Sequence, residues 1–157
     1  MDALLFELDM LQHLETIRQL SSGSSVQTKG LSDEVVQRFC AIDPDLVQAI
    51  TEAASTFEQL IDEVGVDFLA QDEGELATSL QSEFINFYSA ATINPYVAIA
   101  ACGPWVITSK GAVVHDNGGY GMLGSGHGPG EIIDSMSKNW VMANVMTPSF
   151  SQKRLTD

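Results

Sequence analysis

Residues 105–133 read WVITSKGAVVHDNGGYGMLGSGHGPGEII, and this stretch decides the fold class. Trp105–Thr108 and Ala112–His115 are short runs rich in β-branched and aromatic residues. They flank Ser109-Lys110-Gly111, which is the signature of a β-hairpin with glycine near the turn. The glycine-rich segment 118–130 follows. Residues 130–145 then carry Ile132, Ile133, Met136, Trp140 and Met142 at apolar positions, which predicts a helix that Thr147-Pro148 breaks.

Upstream the pattern is helical. Leu4, Leu8, Leu11, Leu14 and Ile17 recur at spacings of three and four, which predicts a helix over 3–20. SSGSSVQTKG at 21–30 reads as a short linker. Ser32 is a plausible N-cap for a short helix through Phe39. Asp43-Pro44 is the clearest helix start in the chain. Asp supplies the cap, and Pro suits the first helical position because its missing N–H needs no partner. Leu46, Ile50, Ala53, Phe57, Leu60 and Val64 form the stripe behind it, and Gly65 ends it. A further helix is expected over about 75–89, with Leu76, Leu80, Phe84 and Phe87 on one face. The fold class is therefore α+β: an acidic N-terminal helical region, then a β-hairpin, a Gly-rich loop and a helix.

The charge follows the same division. The chain of 157 residues has a formal net charge of −14, with 21 acidic and 7 basic residues. Residues 1–90 hold 17 of the acids and 3 of the bases; residues 91–157 hold 4 of each. Two units are expected on this basis, a 1–90 acidic helical extension and a 91–157 portion of different character. The acidity argues against nucleic acid or an anionic membrane surface as partner, because each selects a basic face. The N-terminus lacks the basic region of a secretory signal. Cys40 and Cys102 form no CxxC pair, so a reducing, cytoplasmic setting is expected.

Several chemical motifs are matched only in part. Gly119-x-Gly121-x-x-Gly124 has the letters of a dinucleotide fingerprint. Gly126, Gly128 and Pro129 delay the helix that would have to start at once, and no second βαβ unit follows. There is no Walker A lysine motif. His13, His115 and His127 have no metal-ligand spacing, although His115-Asp116 and His127 could meet in space, and no metal is expected. Ser125-Gly126-His127 lacks the nucleophile elbow of a hydrolase. Cys102 has no activating cation near it in sequence and reads as a small buried hydrophobe. Asp116 reads as a turn residue at the end of the hairpin.

Residues 103–157 resemble the N-terminal region of class III, ornithine aminotransferase-like, pyridoxal-phosphate-dependent aminotransferases. That family opens its small domain with a short strand pair, here GPWVITSKGAVVHDNGGY. A small-residue loop ending in Gly-His follows, here LGSGHGPGEIIDSM with Gly126-His127 in register and Pro129 one place early. A helix and a Ser/Thr-x-x-Phe segment come next, here TPSF at 147–150. The extra glycines at 119, 124 and 128 depart from the family, and residues 1–90 do not resemble its usual N-terminal segment.

The resemblance implies the start of a fold-type I small domain, truncated within 91–157. It implies Tyr120, Gly121 and Met122 in the substrate channel and Ser125, Gly126 and His127 on a loop near the active site. It also implies an amino acid or amine and a 2-oxo acid as substrates, and a homodimer. The family's Schiff-base lysine motif is absent: Lys29, Lys110, Lys138 and Lys153 are the only lysines. No catalytic residue is therefore assigned in this chain. Pyridoxal phosphate belongs to the complete family member and is not expected to be held covalently here. The contrasting expectation is a non-catalytic acidic helical module that binds another protein.

Overall fold

The computed structural model describes residues 3–21, 25–82, 84–85, 89, 95–117 and 124–138, with backbone only for 3–8. Among these residues six helices and three strands run in the order α1 (Ala3–Leu20), α2 (Asp33–Cys40), α3 (Pro44–Val64), α4 (Val66–Leu69), α5 (Glu73–Gln81), β1 (Ala98–Cys102), β2 (Trp105–Thr108), β3 (Val113–His115) and α6 (Gly130–Met136). The α+β class holds.

Helix α3 is the centre of the packing. Asp43 stands in extended conformation before it, and its side chain accepts a hydrogen bond from Asp45 N, while Pro44 takes the first helical position. This satisfies a backbone N–H that the helix start would otherwise leave without a partner. Leu46, Ala49, Ile50, Ala53 and Phe57 are buried along one face. Met10, Leu14 and Ile17 of α1 and Val36 and Cys40 of α2 join them from the helical side. Ser32 does precede α2, but its side chain makes no capping hydrogen bond.

The expected hairpin forms and gains a strand. β1, β2 and β3 make an antiparallel sheet in that order, with Cys102 opposite Trp105, and Trp105 opposite His115. β1 was not foreseen, because AIAAC has neither β-branched alternation nor aromatic residues. All four residues of β2 are buried. Trp105, Ile107 and Val113 belong to the same apolar cluster as the helices. A hairpin alone is marginal in water; here a third strand and α3 supply the surface it needs. The division of charge near residue 90 is thus not a division in packing among the described residues.

Two helices stop earlier than their periodicity suggests. α5 ends at Gln81, and Leu80, Phe84 and Ile85 beyond its buried Leu76 are exposed. α6 ends at Met136 and buries no residue. Residues 139–157, including Trp140, Met142 and the TPSF segment, lie outside the described residues, as does Phe87.

The hairpin tip is tied to the helices by buried polar groups. Lys110 is 3% exposed, and its Nζ donates to Leu69 O at 2.8 Å and Gln71 O at 2.5 Å. Glu73 is fully buried, and its Oε2 accepts from Gln27 N at 2.7 Å and Thr28 N at 2.8 Å. Burial pulls the Lys110 ammonium below its usual range, and the negative charges of Glu73 and Asp72 oppose that pull.

Candidate functional site

The chemistry-bearing residues gather at the other end of the hairpin. There β1 turns into β2 through Gly103-Pro104, and β3 runs out into Asp116-Asn117. Gly103 has φ +53, and the carboxylate of Asp45, in the first turn of α3, occupies the place a side chain on Gly103 would take. Glycine is required there because the left-handed backbone and the close approach both exclude a Cβ.

The segment after the Gly-rich stretch folds back onto this turn. Gly103 N donates to His127 O at 3.0 Å, and His127 N donates to Gly103 O at 2.7 Å. Gly126, at φ +74, makes that approach possible, since a Cβ on it would lie 2.9 Å from Gly103 Cα. The side chains then meet: His127 Nε2 lies 3.1 Å from Asp116 Oδ2. Asp116 is itself held by its backbone N–H, which donates to Pro104 O at 2.7 Å. Its carboxylate therefore does more than end a turn. It is the acid partner that the sequence around Ser125-Gly126-His127 did not reveal.

Around this pair lies a cleft of about 470 Å³ lined by Asp45, His115, Asn117 and the 124–127 segment, among others. His115 Nδ1 is 2.7 Å from Asn117 Oδ1, and its ring meets Trp105 edge-on at 4.8 Å between centroids. The indole of Trp105 is fixed in turn, because its Nε1 donates to Asp43 Oδ2 at 2.9 Å. The cap of α3 and the indole that packs on His115 thus share one carboxylate. Cys102, beside the turn, is buried as expected. Burial pushes its thiol above its usual range, and the charges of Asp45 and Glu52 and a hydrogen bond to Asp45 add to the shift.

Of the residues singled out by sequence, Ser125, Gly126 and His127 line this cleft. Tyr120, Gly121 and Met122 lie outside the described residues. Asp45 carried no sequence signal for the site, because an acid in a helix first turn is ordinary. Among the described residues, no group of three or more His, Cys, Asp or Glu is placed to hold a metal ion. No described helix is long and apolar enough to cross a membrane. Among the described residues the cleft's lining includes acids and imidazoles and no lysine or arginine. Lys110 sits at the opposite end of the hairpin with its ammonium on two carbonyls. Pyridoxal phosphate needs a lysine for its aldehyde and donors for its phosphate; the described residues do not fit it. The chain matches no protein-family model, no curated protein and no solved structure.

Proposed function

We propose that this chain carries the opening segment of a class III pyridoxal-phosphate-dependent aminotransferase, preceded by an acidic helical region. The complete protein transfers an amino group between an amino acid or amine and a 2-oxo acid, as a homodimer in the cytoplasm. The observation that carries this reading is the ordered succession in 103–136: hairpin, glycine-rich stretch, Gly-His and helix. The pairing of Gly126-His127 with Gly103 at the hairpin's opening turn is compatible with it. On this reading residues 103–136 begin a fold-type I small domain. Tyr120, Gly121 and Met122 contact substrate, and 125–127 border the active site.

Besides those contacts, the described residues contribute scaffolding. They fix the loop ahead of α6 through two backbone hydrogen bonds and the Asp116–His127 pair. On this reading the cofactor and its lysine belong to sequence beyond residues 1–157.

Reading the gene past the Asp157 codon tests this. The expected result is a continuing or frameshifted large domain with a Schiff-base lysine. A stop with no such reading frame after it would overturn the proposal.

A further inference from the structure

We propose that Asn117 is a site of spontaneous covalent modification: its side-chain amide is lost as ammonia through a cyclic imide with the next peptide nitrogen, and the His115 imidazole activates it. The reaction needs only this chain and water, so it stands independently of the aminotransferase reading.

The first support is in the sequence. The chain has five asparagines, Asn86, Asn94, Asn117, Asn139 and Asn144, followed in turn by Phe87, Pro95, Gly118, Trp140 and Val145. Closing the imide requires the nitrogen of the following residue to reach the asparagine Cγ. Proline has no N–H to give up, and a bulky side chain hinders the approach. Gly118 has no Cβ, and glycine reaches backbone conformations closed to other residues. Of the five, Asn117 has the neighbour this chemistry needs.

The second support is the placement of its amide. Asn117 is exposed and lies beyond the end of β3, so water reaches it. Its Oδ1 is 2.7 Å from His115 Nδ1. A carbonyl oxygen only accepts, so the proton of this hydrogen bond is on Nδ1. The imidazole is held from behind. His115 stands opposite Trp105 in the sheet, and its ring meets that buried indole edge-on at 4.8 Å between centroids. A fixed donor thus sits at the oxygen where negative charge develops when Cγ is attacked.

Hydroxide takes the proton of the Gly118 nitrogen, which forms a bond to Cγ of Asn117. The π electrons of the carbonyl move onto Oδ1, where the N–H of His115 stabilises them. Collapse of this intermediate restores the C=O bond and breaks the Cγ–Nδ2 bond. Ammonia leaves with a proton from water, which regenerates hydroxide. Water then opens the imide at either carbonyl. The products are aspartate, and isoaspartate with a main chain longer by one carbon. Each adds a negative charge next to Asp116, the acid that meets His127.

The test incubates the purified full chain in neutral buffer and follows its peptides by mass spectrometry. The expected result is conversion of Asn117 to aspartate and isoaspartate well ahead of the other four asparagines. His115→Phe keeps a ring against Trp105 and removes the N–H. It should slow the conversion about tenfold, the scale of one hydrogen bond to a developing charge. His115→Gln keeps a side-chain N–H donor and should convert faster than His115→Phe. Amide dispersion shows whether each variant is folded. Asn117 reacting no faster than the other asparagines would overturn the proposal, and this result needs no variant. A folded His115→Phe chain that converts at the parent rate, or faster than a folded His115→Gln chain, would overturn it as well.

Discussion

Asp43 joins the start of helix α3 to the centre of the sheet: Oδ1 accepts from Asp45 N at 3.0 Å, and Oδ2 accepts from the indole Nε1 of Trp105 at 2.9 Å. Trp105 is 1% exposed and is the largest fully buried side chain described. Its ring lies between Phe39, at 5.1 Å, and His115, at 4.8 Å between centroids. One carboxylate thereby caps a helix and satisfies a buried donor beside the candidate site.

Replacing Asp43 should be costly for both reasons. Asp43→Ala is expected to lower stability by about 2–3 kcal/mol, from the lost cap and the unsatisfied indole N–H together. Urea unfolding measures this. Asp43→Asn keeps an acceptor for the cap, but with its oxygen there the amide turns N–H groups toward the indole N–H. It should cost less than Ala and still more than about 0.5 kcal/mol.

Glu73 provides a second contrast. It lies in the first turn of α5, as does Glu75, yet one is buried on Gln27 N and Thr28 N and the other is exposed. Removing Glu73 leaves the N–H groups of Gln27 and Thr28 without their acceptor. Glu73→Ala is expected to cost about 2–4 kcal/mol, and Glu75→Ala to stay within about 0.5 kcal/mol, by the same unfolding measurement.

The return of the 124–127 segment onto Gly103 depends on a missing side chain. Gly126→Ala places a Cβ 2.9 Å from Gly103 Cα and O at φ +74. It should break the two backbone hydrogen bonds and raise amide exchange at Gly103 and His127 by about tenfold or more. β2 and α3 should keep their protection. Gly124→Ala meets none of the described residues within 4 Å and should leave all these amides as they were.

Cys102 predicts a pH dependence. In the folded chain its thiol holds the proton more tightly than in the unfolded chain, through burial first and then Asp45 and Glu52. The unfolded chain therefore loses that proton first as pH rises past the ordinary thiol value of 9.0. The resulting stability is fully present below that pH and declines above it, until the folded thiol also ionises. Cys102→Ala should flatten this part of the alkaline slope in urea midpoints taken across pH 8–11. An unchanged slope would contradict the assignment.

Much of the framework was legible in single residues. Asp43-Pro44 and Gly65 mark α3 at both ends, and the spacing of Leu14 and Ile17 marks the buried face of α1. Trp105-Val106-Ile107-Thr108 announces a strand. The remainder depends on tertiary contacts that local patterns do not encode. β1 is alanine-rich and becomes a strand because β2 pairs with it over α3. Leu80 and Phe84 continue a helical period, but among the described residues no surface covers them. In the site, Gly126-His127 was visible as a pair. Its acid, Asp116, looked like a turn residue, and Asp45 enters only because α3 starts beside the Gly103 turn. The helices share one core with the hairpin, so β2 should exchange as slowly as α3.

The aminotransferase proposal is tested most directly on the native polypeptide that contains these residues. It would be isolated, reduced with borohydride in the presence of pyridoxal phosphate, and mapped by peptide mass spectrometry. The expected result is one phosphopyridoxyl-lysine at a unique site outside residues 1–157. A native polypeptide with no such site, or one labelled stoichiometrically at Lys29, Lys110, Lys138 or Lys153, would contradict it.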